Sequence, residues 1–339
     1  MRETKLAIIG CGTVGQGLLQ IIKDKNADIV VVAISDMLKG SLLDPDGIDI
    51  SLMLDILSKG GKVDDFDKVS PSAVRGLDAI ETIRQCDADI VAEMTYTDIK
   101  TGQPATSHIE AALKKGMHVT TSNKGPAALY YKKLSKLATD NEVKFLIEGT
   151  VMSGTPVFNL ARECFEGCKI SEVKGILNGT TNYILTQMEN EGWSYKDALK
   201  KAQELGYAEA DPTADVEGYD ALAKVVILSN VLLGGDVKPD DVQCEGISKI
   251  SLEDIKSAAK EGMRYKLIGS TKLENDKIIA AVKPVKLSLS NPLAGVGGAN
   301  NALTFNTDLL GKVTIQGAGA GKIETGYSIF VDILNTIGI

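Results

Sequence analysis

A glycine-rich turn between an apolar segment and an amphipathic segment constrains the fold of this chain most strongly. The segment before the turn, K-L-A-I-I-G, predicts a short buried strand, and the segment after it predicts an amphipathic helix. The turn reads G-C-G-T-V-G, and its candidate cofactor residues are Gly10, Gly12, Thr13, Val14 and Gly15. Glycines at these spacings allow a tight turn and let a pyrophosphate approach the helix amino terminus. The stretch predicts a dinucleotide-binding domain, although a doubly wound domain without a nucleotide would also fit it.

An acidic residue follows the second apolar segment, which runs from Asp28 to Ile34 and ends at Ser35-Asp36. An acid about 20 residues beyond the glycine motif can accept hydrogen bonds from the ribose hydroxyls of a dinucleotide. The Asp36 carboxylate would repel the 2′-phosphate of NADP, so the sequence predicts that NAD is preferred and NADP tolerated. Nearby cations would offset part of that repulsion, and the candidates are Lys39, Lys62 and Arg75.

The next part of the chain alternates between helix and strand patterns. After a loop-rich segment from Met37 to Gly76, the helix patterns cover 78–85, 105–115 and 127–139, and the strand patterns cover 88–94, 117–121 and 143–147. One further helix is predicted inside the loop-rich segment, at 51–58. Repeated strands and helices of these lengths imply right-handed crossovers and a parallel sheet. The predicted fold class is α/β, with a Rossmann-type doubly wound parallel sheet in a domain of residues 1–148.

Polar residues occur where the predicted strands of this domain end. They are Thr95, the triplet Ser122-Asn123-Lys124, and Glu148. In an open α/β sheet, ligands bind at the carboxyl ends of the strands. Each residue alone fits an ordinary loop, but their shared position favours a ligand site.

The pattern changes at Gly149, which begins a predicted α+β domain of residues 149–316. Within it, residues 178–182 are predicted to form a loop before a helix at 183–191. Alternating segments at 265–273 and 277–287 flank Glu274-Asn275-Asp276 and predict a hairpin, and shorter strand patterns follow at 301–306 and 312–315. The expected architecture is a mixed sheet with helices on one face, serving substrate binding and dimerisation. Beyond it, the turn Q-G-A-G-A-G leads into a predicted helix at 325–337. This turn fits simple packing, or a return of segment 317–339 to the first domain.

Acids and one lysine interrupt an otherwise apolar helix pattern between Tyr207 and Leu228. Asp220 and Lys224 lie one turn apart on this helix, which is apolar on nearly every side. An exposed ion pair would fit the spacing. Burial of the lysine would instead make its pKa tunable and suit it to proton transfer. The segment before the helix carries Glu209, Asp211, Asp215 and Glu217, which fit recognition of a substrate ammonium group or helix capping.

Composition excludes several function classes. The net charge of −8 argues against a nucleic-acid partner, and no apolar segment approaches the roughly 18 residues that a membrane span needs. The chain starts without a signal-peptide pattern, so we expect a cytoplasmic protein. Five cysteines without metal-ligand spacing predict reduced thiols, and two histidines argue against a His/Cys zinc site.

Several motifs resemble homoserine dehydrogenase over essentially the full chain. They are G-C-G-T-V-G-Q-G, T-S-N-K-G-P-A-A-L, E-G-T-V-M-S-G-T-P, L-N-G-T-T-N-Y-I-L, G-Y-A-E-A-D-P-T-A-D-V-E-G-Y-D-A-L-A-K and G-A-G-A-G. The resemblance implies reversible, nicotinamide-dependent oxidation of L-homoserine to L-aspartate 4-semialdehyde, in threonine and methionine biosynthesis. It also implies a homodimer, with tetramers in some members. Because the sequence stops at the carboxyl-terminal helix, we expect a short form without a regulatory extension.

The resemblance also implies roles for individual residues. Lys224 corresponds to the catalytic lysine and Lys124 to a second active-site lysine, while Glu209 and Asp220 correspond to substrate ligands with Asp215 beside them. The cofactor contacts it implies are Thr95, Ser122, Lys124 and Gly321. A sodium site is implied at Glu148 and the main-chain oxygens near Val151, Ser153 and Thr155, where oxygen ligands suit a hard cation.

Two rival functions fit parts of the same pattern. One is another lysine-dependent amino-acid oxidoreductase on this fold, and the other is a dinucleotide sensor without catalysis. Aspartate-semialdehyde dehydrogenase is disfavoured, because its thioester chemistry requires a nucleophilic cysteine with a histidine partner near a helix start. The Asp220/Lys224 pair argues against a sensor, which needs no group for proton transfer.

Overall fold

The computed structural model describes residues 3–338, which form two compact units. The first contains the chain up to Gly154 and again from Gly321, and the second is Thr155–Ala320. The sequence places the first boundary earlier, after residue 148. Residues 149–154 stay with the first unit because they pack closely on it, and a Cβ at Gly149 would lie 2.8 Å from the Ser122 side chain. Residues 1, 2 and 339, which the sequence assigns to the first domain, lie outside the described residues.

The first unit alternates strands and helices. Up to Gly154 its elements are β1 Thr4–Ile9, α1 Thr13–Lys25, β2 Ile29–Asp36, β3 Gly40–Leu43, α2 Ile50–Ser58, β4 Val74–Arg75, α3 Ala79–Gln85, β5 Ile90–Glu93, α4 Ala105–Lys114, β6 His118–Thr121, α5 Lys124–Asp140 and β7 Phe145–Leu146.

These strands form one sheet in the order β4-β3-β2-β1-β5-β6-β7. The four adjacent pairs β2/β1, β1/β5, β5/β6 and β6/β7 are parallel, which confirms the predicted doubly wound α/β core. The loop-rich prediction for residues 37–76 is wrong in part, because β3 and β4 extend the sheet with antiparallel pairing. The strand order reverses at β1, whose neighbours are β2 and β5. Such a switch point opens a crevice at the carboxyl ends of the two central strands, where dinucleotides bind.

The second unit contains a six-stranded sheet with the order β13-β12-β8-β10-β11-β9. Its elements are α6 Phe158–Cys164, β8 Ile170–Ile176, α7 Gly179–Asn190, α8 Tyr195–Glu204, α9 Thr213–Val216, α10 Tyr219–Leu232, β9 Gln243–Cys244, α11 Leu252–Lys260, β10 Met263–Glu274, β11 Lys277–Ser288, β12 Asn300–Thr307 and β13 Gly311–Ala318. Only β9 and β11 pair in parallel among these neighbours. The predicted mixed sheet is therefore confirmed.

The predicted hairpin is also confirmed, as β10 and β11. Its two-residue turn is Asn275-Asp276, and both residues have positive φ, 49° and 60°. This conformation belongs to a type I′ turn, whose twist matches that of the flanking strands. The turn fixes the register of the longest strand pair in the unit.

The start of α7 differs from the prediction that residues 178–182 form a loop. The helix begins at Gly179, and the Asn178 side chain caps it by accepting a hydrogen bond from the Thr181 amide at 2.9 Å. An asparagine cap offsets the weak helix propensity of the Gly-Thr-Thr sequence that follows. The short strand β9 and the helix α11 were also missed.

The last helix, α12 Lys322–Ile337, returns the chain to the first unit and packs on α1. Two glycines allow the close approach of these helices. A Cβ at Gly17 would lie 2.0 Å from the Lys322 carbonyl oxygen, and one at Gly326 would lie 2.7 Å from the Gly17 backbone. Within residues 3–338, no helix combines the length and the apolar character needed to cross a membrane.

Candidate active site

The glycine motif forms the junction of β1 and α1 at the switch point. Gly10 has φ +94°, and a Cβ there would lie 2.5 Å from the Met94 carbonyl oxygen at the end of the neighbouring strand. A Cβ at Gly15 would lie 2.5 Å from the Gly10 carbonyl oxygen. Gly12 instead borders open space, and no side chain caps the first turn of α1. The main-chain amides of Thr13 and Val14 lie in this uncapped first turn, next to the open space at Gly12. Such amides can donate hydrogen bonds to the pyrophosphate of a dinucleotide.

The Asp36 carboxylate lies beside this motif at the end of β2. Its Oδ2 accepts a hydrogen bond from the Cys11 amide at 2.8 Å, and its Oδ1 accepts from the Leu38 and Lys39 amides at 3.0 Å each. The Lys39 ammonium lies 3.8 Å from Oδ2. The main chain therefore fixes the carboxylate at the glycine turn, where the sequence places the ribose.

Of the three cations considered near Asp36, Lys39 is the one that contacts it. Arg75 is engaged elsewhere, because its guanidinium donates to the Asp64 carbonyl at 2.9 Å and to the Phe66 carbonyl. Lys62 is exposed. A group on the 2′ position of the cofactor ribose would therefore lie near the negative Asp36 carboxylate, whose charge the Lys39 ammonium compensates in part.

Cys11, between the first two glycines, is fully buried. Burial, reinforced by the negative charge of Asp36, raises the pKa of its thiol to about 12. The side chain therefore stays neutral at physiological pH and contributes an apolar base under the turn.

Glu93 joins the strand ends that carry the predicted cofactor contacts. It is fully buried at the end of β5, and its carboxylate accepts from the Thr95 amide at 3.1 Å, from the Thr95 hydroxyl, and from the Thr121 hydroxyl at 3.0 Å. His108 Nδ1 lies 3.8 Å from the carboxylate. The side chain thus links β5 to β6 directly below Thr95.

Asn123 adds a second link between the same strand ends. Its amide nitrogen donates to the Thr95 and Tyr96 carbonyls at 3.3 and 2.9 Å, and its side-chain oxygen caps α5 by accepting from Gly125. The structure therefore brings Thr95 and Ser122 to adjacent strand ends, with the half-buried Lys124 opening α5.

The loop after β7 carries the residues of the implied cation site. Glu148 is buried, and its amide donates to Asp332 of α12 at 3.1 Å. Met152 and Ser153 both have left-handed φ, 60° and 53°. A non-glycine residue held in this region costs about 1–3 kcal/mol, so the fold imposes this loop shape. Thr155, the fourth residue implied, begins the second unit.

The second unit buries Lys224, so the exposed ion pair that the sequence allowed is wrong. The ammonium donates to Asp220 Oδ2 at 2.7 Å and to the Leu177 carbonyl at 2.6 Å. The side chains of Lys224 and Asp220 are 8% and 17% exposed. A buried ammonium needs such compensation, because an unpaired charge there would be costly.

Asp215 lies in the same cluster, which we define as Asp215, Asp220 and Lys224. The Asn178 amide nitrogen donates to Asp215 Oδ1 at 2.6 Å and to Asp220 Oδ2 at 3.0 Å. Burial raises the pKa of Asp215, and the charge of Asp220 adds to this effect, while the hydrogen bond from Asn178 opposes it. Two carboxyl groups and one ammonium are therefore in close contact in a partly buried cluster.

Glu209 is exposed on the loop between α8 and α9. Its carbonyl accepts from Gln203 Nε2 at 3.0 Å, and the neighbouring Tyr207 carbonyl accepts from the Thr180 hydroxyl at 2.6 Å. The second bond ties this loop to the first turn of α7, which Asn178 caps. Gly321, the remaining implied cofactor contact, precedes α12 with φ +151°.

Sequence reasoning missed Glu93 and the side-chain role of Asn178. Each left a signal, because Glu93 is an acid inside the apolar run I-V-A-E-M, and Asn178 precedes a helical pattern as capping residues do. Among residues 3–338, no group of three or more His, Cys, Asp or Glu side chains is arranged to hold a metal ion.

Two family models match the chain. The model described as "Homoserine dehydrogenase, NAD binding domain" matches residues 10–148, and the one described as "Homoserine dehydrogenase" matches residues 156–334. An NAD(+)-dependent homoserine dehydrogenase from Pseudomonas canavaninivorans is 43% identical over 99% of this chain and 96% of its own length.

Solved structures give the same result. A crystal structure from Archaeoglobus fulgidus, described as that of a homoserine dehydrogenase, has a TM-score of 0.88 and 36% identity over 98% of both chains. A mutant of a hyperthermophilic archaeal homoserine dehydrogenase in complex with NADPH has a TM-score of 0.85 and 31% identity, covering 99% of this chain and 98% of the other.

We predict that Glu93→Ala lowers the free energy of unfolding by about 3 kcal/mol, because it removes the carboxylate that accepts from the half-buried Thr95 and leaves the Thr121 hydroxyl with the main-chain oxygen of residue 93 as its acceptor. Urea denaturation followed by circular dichroism measures the change. Glu166→Ala, at an exposed position, is the control and should lie within about 0.5 kcal/mol of wild type. Equal midpoints for Glu93→Ala and wild type would contradict this role of Glu93.

Proposed function

Because the chain belongs to the homoserine dehydrogenase family, we propose that the Asp220/Lys224 pair performs the proton transfer of that family's reaction. The protein is an NAD(P)-dependent oxidoreductase that interconverts L-homoserine and L-aspartate 4-semialdehyde in amino-acid biosynthesis. The observation that carries the assignment is the Lys224 side chain, which is 8% exposed and whose ammonium lies 2.7 Å from a carboxylate. Burial and a charge partner are the means by which proteins adapt a lysine to proton transfer.

A bound nicotinamide cofactor would supply hydride transfer at C4 of homoserine, and the hydroxyl proton must leave as the carbonyl forms. An ammonium has three N–H bonds, and a neutral amine has two and one lone pair. For Lys224, Asp220 and the Leu177 carbonyl accept two N–H bonds. The third position of the nitrogen then exchanges the proton with the substrate hydroxyl, directly or through a water.

The acids of the second unit suit the substrate's ammonium group. We assign that group to Glu209 and Asp220, with Asp215 beside them. The exposure of Glu209 leaves its carboxylate accessible to a ligand from solvent, whereas Asp215 and Asp220 are held by Asn178. In the first unit, we assign Lys124 as a second positive charge for the alkoxide character of the transition state.

We assign the cofactor to Gly10, Gly12, Thr13, Val14, Gly15, Asp36, Thr95, Ser122, Lys124 and Gly321, with NAD preferred. The support for that preference is the fixed position of Asp36 beside the glycine turn, where its charge opposes a 2′-phosphate. The ammonium of Lys39, 3.8 Å away, offsets part of this opposition and explains why NADP would be tolerated.

We further propose that Glu148 and the main-chain oxygens of Val151, Ser153 and Thr155 bind sodium. Oxygen ligands of this kind suit a hard cation. The imposed left-handed conformation of Met152 and Ser153 supports a functional loop, because strained backbone is retained where the surrounding structure requires its shape.

The cytoplasmic location stays a prediction; free thiols at all five cysteines fit a reducing compartment.

We predict that Lys224→Met lowers kcat by about 10²–10⁴-fold, because methionine has a similar volume but cannot transfer a proton. Initial rates with homoserine and NAD give kcat, and NADH fluorescence gives cofactor binding, which should persist. Lys174→Met is the matched control, because it removes a lysine paired with an acid, Glu172 at 3.3 Å, outside the cluster. A folded Lys224→Met enzyme within a few-fold of wild type would refute the assignment.

Cofactor preference gives a paired prediction. Asp36→Asn should raise the ratio of kcat/KM for NADP to that for NAD by about tenfold or more, since a neutral amide no longer repels the phosphate; one such step is about 1.4 kcal/mol. Lys39→Met should change the ratio in the opposite direction. Steady-state kinetics with both cofactors measure it, and an unchanged ratio in both variants would show that neither residue faces the ribose.

We propose a homodimer built through the strands of the second unit. On its outer side, the twelve-residue strand β11 pairs with the two-residue edge strand β9 at Ala281 and Val282, and Leu273 and Ile279 of the hairpin are each 48% exposed. Long unpaired edges of this kind are rarely left open. Sedimentation equilibrium at micromolar concentration should therefore give twice 36.0 kDa, and a monomer mass would exclude this assembly.

A further inference from the structure

We propose that Asn178 is a positioning residue that holds Asp215 and Asp220 in the arrangement that receives the substrate ammonium group. This inference rests on the function proposed for the cluster of Asp215, Asp220 and Lys224. The junction of β8 and α7 holds that cluster in place, because two consecutive residues there, Leu177 and Asn178, make three hydrogen bonds to its members.

The orientation of the Asn178 amide is set by its own hydrogen bonds. Its oxygen accepts from the Thr181 amide at 2.9 Å and from the Thr181 hydroxyl at 3.0 Å, so this atom must be the acceptor. The nitrogen therefore faces the carboxylates, and its two N–H bonds go to Asp215 at 2.6 Å and Asp220 at 3.0 Å. The helix cap and the carboxylate bridge thus use opposite ends of one planar group.

The bridge acts on two carboxylates that repel one another. Asn178 is 5% exposed, and hydrogen bonds shielded from water are electrostatically stronger than exposed ones. An N–H donor stabilises the charged form of an acid, so the bridge opposes the rise in the pKa of Asp215 that burial and the charge of Asp220 cause. The charged groups that act on Asp215 are Asp220 and Lys224 of α10, while α7 contributes the neutral Asn178 and Thr180. An ionised pair is what an ammonium ligand requires.

The junction itself is held rigidly. A Cβ at Gly179 would lie 2.5 Å from the Ala299 carbonyl oxygen, so the main chain directly after Asn178 is pressed against the segment before β12. At the preceding residue, the Leu177 carbonyl accepts from Lys224. Because main-chain packing fixes this short segment, it can determine the separation of the proton-transfer lysine from both acids.

Three substitutions separate the cap from the bridge. Asn178→Ser keeps a good capping oxygen and removes the bridging donor, Asn178→Asp keeps the cap and puts a third acid in the cluster, and Asn178→Ala removes both functions. If Asn178 only caps α7, the serine and aspartate variants will behave as wild type and the alanine variant alone will lose thermal stability.

The expected result is different. For Asn178→Ser, KM for homoserine should rise about tenfold or more, in line with the loss of hydrogen bonds to charged groups, while Tm and KM for NAD stay close to wild type. The acidic limb of the kcat/KM profile should move to higher pH, because loss of the donor raises the pKa of Asp215. Asn178→Asp should move it further in the same direction, since it adds a negative charge.

A milder variant keeps the test valid if these proteins fold poorly. Thr181→Val removes one of the two donors that orient the Asn178 oxygen, and it should shift the pH profile in the same direction by a smaller amount. Wild-type homoserine KM and pH profile in the serine, aspartate and valine variants would overturn the role of Asn178. That outcome is distinct from failure of the proposed function, which an active Lys224→Met enzyme would reveal.

Discussion

The burial of one ammonium group dictates the organisation of the second unit. Helix α10 is buried from Ala221 to Asn230, and Lys224 lies within that span. A charge in such surroundings is tolerated only with close partners, which here are one carboxylate on the same helix and one main-chain carbonyl from another element. The carbonyl belongs to the junction of β8 and α7, so the position of α10 over the sheet is linked to the start of α7. The atoms that compensate the buried charge are also those to which we assign proton transfer.

A different constraint governs the first unit, where main chain approaches main chain. The glycine turn contacts the end of β5 so closely that a side chain at Gly10 would overlap Met94. Glu93, one residue before that contact, satisfies donors from two adjacent strand ends. The Asp36 carboxylate accepts hydrogen bonds from two amides in the turn that follows β2 and from one amide in the glycine motif. Buried or half-buried carboxylates therefore hold the strand ends and the glycine turn in place. They do so by accepting hydrogen bonds from amides and hydroxyls, and not through cations alone.

The sequence predicted much of the fold because its signals are local. The doubly wound core, the β10/β11 hairpin and the buried helix follow from periodicity and turn residues that read the same in any context. The failures have the same origin. The strands β3 and β4 are short and lie at a sheet edge, so four and two residues carry too little pattern to be recognised. The start of α7 was missed because Gly-Thr-Thr disfavours a helix unless a cap is supplied.

By itself the sequence determined which chemistry the chain carries: a dinucleotide turn with an acid after the next strand, and an acid and a lysine one helical turn apart in apolar surroundings. The periodicity of apolar residues indicates which faces are buried, and the spacing of residues along one helix indicates which side chains are close. These features could therefore be predicted without tertiary information. Only the tertiary structure decided which groups meet them. Asn178 reaches Asp215 and Asp220 across 37 and 42 residues, and Leu177 reaches Lys224 across 47. Strand order and helix packing create those contacts, and neither produces a periodic pattern in the sequence. A hydrogen bond between distant segments depends on where the fold brings those segments together, and not on the residues that flank each of them.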